Sequence, residues 1–123
     1  MAQIELPRLR TESPRASERF PITYPVIYGG APFVGEGSLL NLSLTGCSVA
    51  SSRTVLAGSY IRLNVVMPDH ISSLSIELGK VRWVRSGAFG VEFIRLPVIT
   101  AQRLDHVIWE QFIQSLPRQT ASQ

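Results

Sequence analysis

The chain has 123 residues, 45% of them hydrophobic and 17% charged, and its formal net charge is +3. This length and composition fit one globular domain that can bury a core without a disulfide or a metal, and Cys47, the only cysteine, excludes an intramolecular disulfide. The N-terminus has no apolar signal region, and no apolar stretch approaches the roughly 20 residues of a membrane-spanning helix. We therefore expect a cytoplasmic domain that does not insert into a membrane.

The first 20 residues are rich in arginine, proline and serine and show no apolar periodicity, which predicts a flexible basic N-terminal arm. After them come β-branched and aromatic residues that alternate with polar ones, a pattern typical of β-strands. Pro25 indicates an edge position or a bulge in the first strand, and a shift of the apolar phase past Gly79 predicts a bulge in the fifth. Six strands are predicted, over residues 22–28, 33–42, 47–51, 60–67, 74–83 and 89–94.

After the last strand the apolar spacing changes to the helical period. Thr100 is the candidate N-cap of this helix, and Pro117 is expected to end it. Its predicted apolar face comprises Leu104, Val107, Ile108, Phe112 and Leu116. Six short strands followed by one helix indicate an all-β fold, a small six-stranded antiparallel β-barrel with a C-terminal α-helix. The expected boundaries are 1–20 for the arm, 21–116 for the barrel and helix, and 117–123 for a disordered tail.

The histidines and the cysteine do not indicate a catalytic or metal centre. His70 falls in a turn and His106 on the helix, neither at a spacing typical of metal ligands, and Cys47 has no nearby partner. Carboxylates are sparse and scattered along the chain. We therefore predict a protein that is not an enzyme and that uses no metal and no cofactor.

Two short segments carry a more specific pattern. Arg15 and Arg19 lie four residues apart where the arm meets the first strand. Asn41 and Ser43 lie two apart at the end of the second strand, so their side chains are expected on the same side, and Gly46 follows in a turn, where it permits a backbone conformation that other residues resist. Arginine forks bind phosphates and stack on flat rings, while amides and hydroxyls bind ring edges. The two segments together suit a flat, polyanionic ligand.

Arg-x-x-x-Arg followed about twenty residues later by Asn-x-Ser-x-x-Gly resembles the paired signature of PilZ domains. The segments Gly79–Trp83 and Gly90–Phe93 are similar to the closing strands of such domains, so the resemblance covers about residues 15–115. It implies a six-stranded barrel that binds the bacterial second messenger cyclic di-GMP, with the arm folding over the ligand. The ligand contacts that it implies come from Arg15, Arg19, Asn41, Ser43 and Gly46, with Trp83 and Arg95 as further candidates.

Two functions from different classes follow from the sequence. The complete signature favours a receptor module that changes conformation on binding cyclic di-GMP and signals to an unidentified downstream protein. The alternative is a PilZ-like interaction protein that binds no nucleotide and acts in type IV pilus assembly or motility. A nucleic-acid-binding barrel is disfavoured, because such barrels interleave aromatic and basic residues on a sheet face, whereas the arginines here concentrate on the arm.

Overall fold

The computed structural model describes residues 3–5, 18–30, 33–53, 55–68 and 73–117. Within these ranges the chain forms the strands β1 (Gln3–Glu5), β2 (Pro25–Gly30), β3 (Phe33–Leu42), β4 (Gly46–Ala50), β5 (Tyr60–Val65), β6 (Leu74–Arg85) and β7 (Ala88–Pro97), followed by the helix α1 (Val98–Ser115). Strands β2 to β7 and the helix correspond to elements expected from the sequence, with ends shifted by up to three residues in the strands. Strand β1 was not expected.

The strands follow the order β1-β7-β4-β3-β2-β5-β6, and a further pairing between β6 and β7 closes the sheet. Every neighbouring pair in the barrel is antiparallel. Strands β2 to β7 therefore form a closed six-stranded barrel, and α1 follows as a C-terminal helix, which confirms the predicted fold.

Alternating side chains fill the interior of this barrel. In β5 the side chains of Ile61, Leu63 and Val65 are buried, whereas that of Tyr60 is exposed, because successive residues of a strand point to opposite faces. Helix α1 lies against β6, β7 and β1 and buries Leu104 and Ile108 in the same core. Among the described residues, no helix has the length and apolar character needed to cross a bilayer.

The N-terminal arm is described only in part. Residues 3–5 form β1, which pairs with the end of β7 so that Gln3 lies opposite Pro97 and Glu5 opposite Arg95. The next described residues, from position 18 onward, lead into β2. The flexibility expected for the arm stays a prediction, and most of its residues lie outside the described ranges.

Two expectations about proline and threonine are corrected. Pro25 is the first residue of β2, and β2 lies between β3 and β5, so Pro25 is at neither an edge nor a bulge; the first position of a strand also tolerates a residue without an N–H. Thr100 does not cap the helix, because α1 begins at Val98 directly after Pro97 and Pro97 makes no side-chain capping bond. The predicted bulge is confirmed, since the β6–β7 register shifts directly before Gly79.

Candidate functional site

The chain just before β2 is fixed to the barrel by Phe20. Its backbone N–H donates to the carbonyl oxygen of Leu42, and its own carbonyl oxygen accepts from the Leu42 N–H, both at 3.0 Å. The side chains of Phe20 and Ile22 are buried in the core, and burial of a large apolar side chain stabilises a fold by roughly 1.5–3 kcal/mol. Arg19 is therefore held beside the end of β3 by the residue that follows it.

Arg19 connects two parts of the chain that are 22 residues apart. Its Nη1 donates a hydrogen bond to Asn41 Oδ1 at 2.9 Å, and its Nη2 lies 3.3 Å from the point where a Cβ on Gly46 would be. Arg19 is exposed and Asn41 half-buried, so both remain accessible on the outer surface of the barrel. The fold thus brings together three of the residues that the sequence selected, while Arg15 lies outside the described ranges.

Ser43 lies beneath the surface that carries Arg19 and Asn41. Its side chain is fully buried, and its hydroxyl accepts hydrogen bonds from the backbone N–H groups of Thr45 at 3.2 Å and Gly46 at 3.1 Å. The same hydroxyl donates to the Gly46 carbonyl oxygen at 3.2 Å. Strand β3 ends at Leu42, so the alternation that would place Ser43 on the side of Asn41 stops before Ser43 is reached. Ser43 is fully buried and Asn41 half-buried, and the expectation that both face the same side stays a prediction.

Gly46 is required by close packing and not by its backbone dihedral angles. A Cβ on Gly46 would overlap the carbonyl oxygen of Val91 on β7. The described glycines with positive φ are Gly58 and Gly87, at 90° and 79°. The expectation that Gly46 supplies an unusual backbone conformation is therefore wrong, although the position does exclude a side chain.

Cys47 lies in the core directly after Gly46. Burial raises the pKa of its thiol to about 12, and the positive charge of Arg19 acts in the opposite direction. A thiol with this pKa is protonated at neutral pH, and only the thiolate is a nucleophile or a metal ligand. Cys47 is therefore a packed core residue beneath the surface on which Arg19 lies.

Asn41 belongs to a row of paired positions that crosses four strands. Asn41 lies opposite Ser48 in β4, Ser48 opposite Gly90 in β7, and Gly90 opposite Trp83 in β6. Neighbouring strands are about 4.8 Å apart, so the row extends over about 14 Å. We call this surface the Arg19 face, and its residues are Arg19, Asn41, Gly46, Ser48, Trp83 and Gly90.

Trp83 packs directly on Gly90. A Cβ on Gly90 would overlap the indole ring of Trp83, so the glycine provides the space in which the ring lies. The Cζ of Arg85 is 4.8 Å from the centroid of that ring, within the range of a cation–π interaction. Glycine inside a strand is typical of such a close approach, and Gly90 between two buried apolar residues was the sequence signal for it.

The Arg19 face also has a carboxylate at its edge. Glu92 lies opposite Gly46 in the register of β4 and β7, and Arg82 donates from Nε to Glu92 Oε1 at 2.5 Å. Both side chains are about half exposed, so the pair contributes little to stability. Its electrostatic effect matters more, because Arg82 offsets a negative charge beside a surface that carries Arg19. Sequence reasoning missed this pair, since the strand register that creates it is set by the whole sheet.

Arg95 lies within β7, whereas it was expected just after the last strand. It is exposed and lies opposite Leu78 on one side and Glu5 on the other. It lies three positions after Glu92, which corresponds to about 10 Å along a strand. Arg95 is therefore a cation on the same strand as part of the Arg19 face, beyond its edge.

The described residues contain no group of three side chains that could ligate a metal ion. His106 is exposed on α1, with its Nε2 3.2 Å from Oε2 of Glu110, and His70 lies outside the described ranges. The Arg19 face offers a cation, an amide, a polar floor and an aromatic ring. Such groups can bind an anionic ligand that has flat rings.

This chain resembles a known family in sequence and known proteins in fold. The family model of the PilZ domain matches residues 13–109. The structure is similar to the PilZ domain of CeSA from a cellulose-synthesizing bacterium, with a TM-score of 0.61 and 15% identity over 76% of this chain and 97% of that one. It is also similar to the inhibitor of motility MotI/DgrA of Bacillus subtilis, with a TM-score of 0.68 and 17% identity over 80% of this chain and 51% of that one. At these identities the structural likeness shows the fold alone. No curated protein matches the chain in sequence.

Proposed function

This chain belongs to the PilZ domain family, and we propose that it is a receptor for cyclic di-GMP that changes conformation on binding and signals to a partner protein. Domains of this family are generally receptors for that second messenger and are binding modules rather than enzymes. We further propose that it acts in the cytoplasm, as proteins of this family typically do.

The observation that carries the proposal is the hydrogen bond from Arg19 to Asn41. It joins the two segments of the signature, which are otherwise distant in the chain, at the surface above Gly46. A guanidinium held in this way keeps further N–H donors for a ligand, since arginine has five. Such a guanidinium can contact an anionic ligand while it stays bonded to Asn41, which supports the proposal.

Each residue has a proposed part in binding. Arg15 and Arg19 contact phosphates and a guanine ring, and Asn41 binds a guanine edge. Ser43 and Gly46 act mainly by shaping the turn, because the Ser43 hydroxyl is buried and already bonded to Gly46. The two further candidates differ in position: Trp83 offers an aromatic surface at the far end of the row, and Arg95 supplies a cation beyond Glu92.

The same hydrogen bond suggests how binding changes the conformation. Asn41 Oδ1 accepts from Arg19, so a ligand that takes over either group alters the contact between the end of the arm and β3. The arm preceding Arg19 then moves toward the ligand. This movement provides the signal that a partner protein detects.

Calorimetric titration with cyclic di-GMP and with cyclic di-AMP tests the proposal. We expect binding of the guanine dinucleotide in the micromolar range or tighter, and much weaker binding of the adenine dinucleotide. The reason is that adenine lacks the O6 acceptor that an arginine fork binds together with N7. Equal affinities would contradict the proposed recognition, and absence of binding to both would favour the interaction protein that uses no nucleotide.

A further inference from the structure

An open groove lies on the side of the barrel away from the Arg19 face. Its volume is about 510 Å³, and it lies along β2, β5 and the start of β6. Gly29 and Gly30, which have no side chains, are among the residues that line it. Its rim is apolar, with 46% of Ile27, 67% of Val34 and 55% of Tyr60 exposed. Exposed apolar side chains gathered around a groove are typical of an interaction surface.

Two opposite charges lie next to each other in this groove. Arg62 on β5 lies opposite the irregular part of β6 that contains Glu77, where the register shifts between Ile61 and Leu63. Both Arg62 and Glu77 line the groove. Within the described part of the chain, neither side chain makes a hydrogen bond or an ion pair, although charges of opposite sign on neighbouring strands commonly pair.

Adjacent unpaired charges of opposite sign are self-complementary under a two-fold rotation. In such an arrangement Arg62 meets Glu77 of the partner subunit, and Glu77 meets Arg62 of the partner subunit. Two-fold dimers use the same surface patch on both copies, so that each contact occurs twice. The exposed Ile27, Val34 and Tyr60 would then be covered by the equivalent face of the second copy.

We propose that the groove over β2 and β5 is the interface of a homodimer, held by two symmetric ion pairs between Arg62 and Glu77 around an apolar centre. The interface leaves the Arg19 face exposed on both copies, because that face lies on β3, β4, β7 and the end of β6. Dimerisation is therefore independent of nucleotide. This proposal stands whether or not the chain binds cyclic di-GMP.

Sedimentation equilibrium of the full chain, without nucleotide, tests the interface. The natural protein, Arg62→Glu, Glu77→Arg and an equal mixture of the two variants are compared from about 10 μM to about 1 mM, the range in which weak dimers dissociate. We expect the natural protein to form a dimer and each single variant to dimerise at least about tenfold more weakly, since like charges then meet twice. The mixture should recover the affinity, because positions 62 and 77 then carry opposite charges in both contacts across the heterodimer.

Arg95→Glu is the matched control, because it reverses an exposed arginine on β7, a strand that does not line the groove. It should dimerise like the natural protein, and circular dichroism should show the same fold for all variants. A natural protein that stays monomeric throughout the range overturns the proposal. So do single variants that dimerise like the natural protein, or a mixture that stays as weak as its components.

Discussion

The Arg19–Asn41 pair and the Ser43–Gly46 turn lie next to each other but are built differently. Arg19 is exposed and joined to Asn41 by one hydrogen bond. Ser43 and Gly46 are buried, bonded to each other through both backbone and side chain, and closed off by β7. A sequence signature can therefore combine two kinds of residue. One kind remains accessible to a ligand, and the other keeps the surface in shape.

The largest effect is expected from Gly46→Val, because the new side chain would overlap the Val91 carbonyl oxygen and push β4 away from β7. We expect a loss of unfolding free energy of about 3 kcal/mol or more, as for severe overpacking. Chemical denaturation followed by circular dichroism measures it. Ala50→Val, a larger side chain at a half-buried position of the same strand, should cost much less. A Gly46→Val protein as stable as the parent would mean that β4 and β7 separate easily.

Arg19→Ala should act on binding and leave stability nearly unchanged. Loss of a charged donor from a ligand contact costs about 1.5–3 kcal/mol, which corresponds to roughly 10- to 150-fold in the Kd for cyclic di-GMP. Calorimetry measures the Kd, and a thermal scan measures stability. Arg62→Ala removes the same charge on the other side of the barrel and should bind like the parent. If both variants lose affinity equally, general electrostatic attraction explains the binding.

Ser43→Ala tests most directly whether a residue of the signature contacts the ligand or maintains the shape of the surface. The backbone N–H groups of Thr45 and Gly46 would lose their acceptor, and a buried unsatisfied donor costs about 1–3 kcal/mol. We expect a fall in unfolding free energy of about 1.5 kcal/mol and only a small change in affinity for the nucleotide. A loss of affinity at unchanged stability would instead place Ser43 among the residues that contact the ligand.

The buried thiol of Cys47 predicts a pH dependence of stability. Its pKa is about 12 in the folded protein and 9.0 in an ordinary thiol, so the unfolded state releases the proton at lower pH than the folded state. Its contribution to stability is therefore complete below pH 9 and is lost as the pH rises toward 12, by up to about 1.4 kcal/mol per pH unit. Denaturation curves of the parent and of Cys47→Ala between these pH values measure the difference. If the unfolding free energies of the parent and of Cys47→Ala change in parallel with pH, the thiol has the same pKa in the folded and unfolded states.

The sequence was a good guide wherever one local pattern decides the structure. The alternation of apolar and polar residues over 60–65 predicts which side chains of β5 are buried. The spacing of the Arg-x-x-x-Arg and Asn-x-Ser-x-x-Gly motifs is enough to select Arg19, Asn41 and Gly46 as residues that the fold brings together. Which residues lie opposite one another on strands distant in the sequence could not be predicted from local patterns. The opposition of Ser48, Gly90 and Trp83 depends on the register of two strand pairs, and β1 pairs with the part of β7 that extends beyond β4.

Ser43 illustrates a different limit. The motif selects it as a residue of the site, but its burial follows from the turn after Leu42, where β3 ends. Strand ends are set by the turn that follows and by the neighbouring strands, so a side chain at this point can face either way. A shift of one position changes its surroundings from solvent to core.

The pairing of β4 with β7 also has a consequence for the order of folding. Gly46 lies opposite Glu92, more than 40 positions later in the chain, so the loop between them must close before this pairing forms, and such non-local contacts slow folding. The Arg19–Asn41 pair needs only the early segments of the chain. During synthesis, while β7 is still inside the ribosome, the nascent chain already contains Arg19 and Asn41. It does not yet have the strand that packs against Gly46. We expect the complete candidate site to exist only after β7 has left the ribosome.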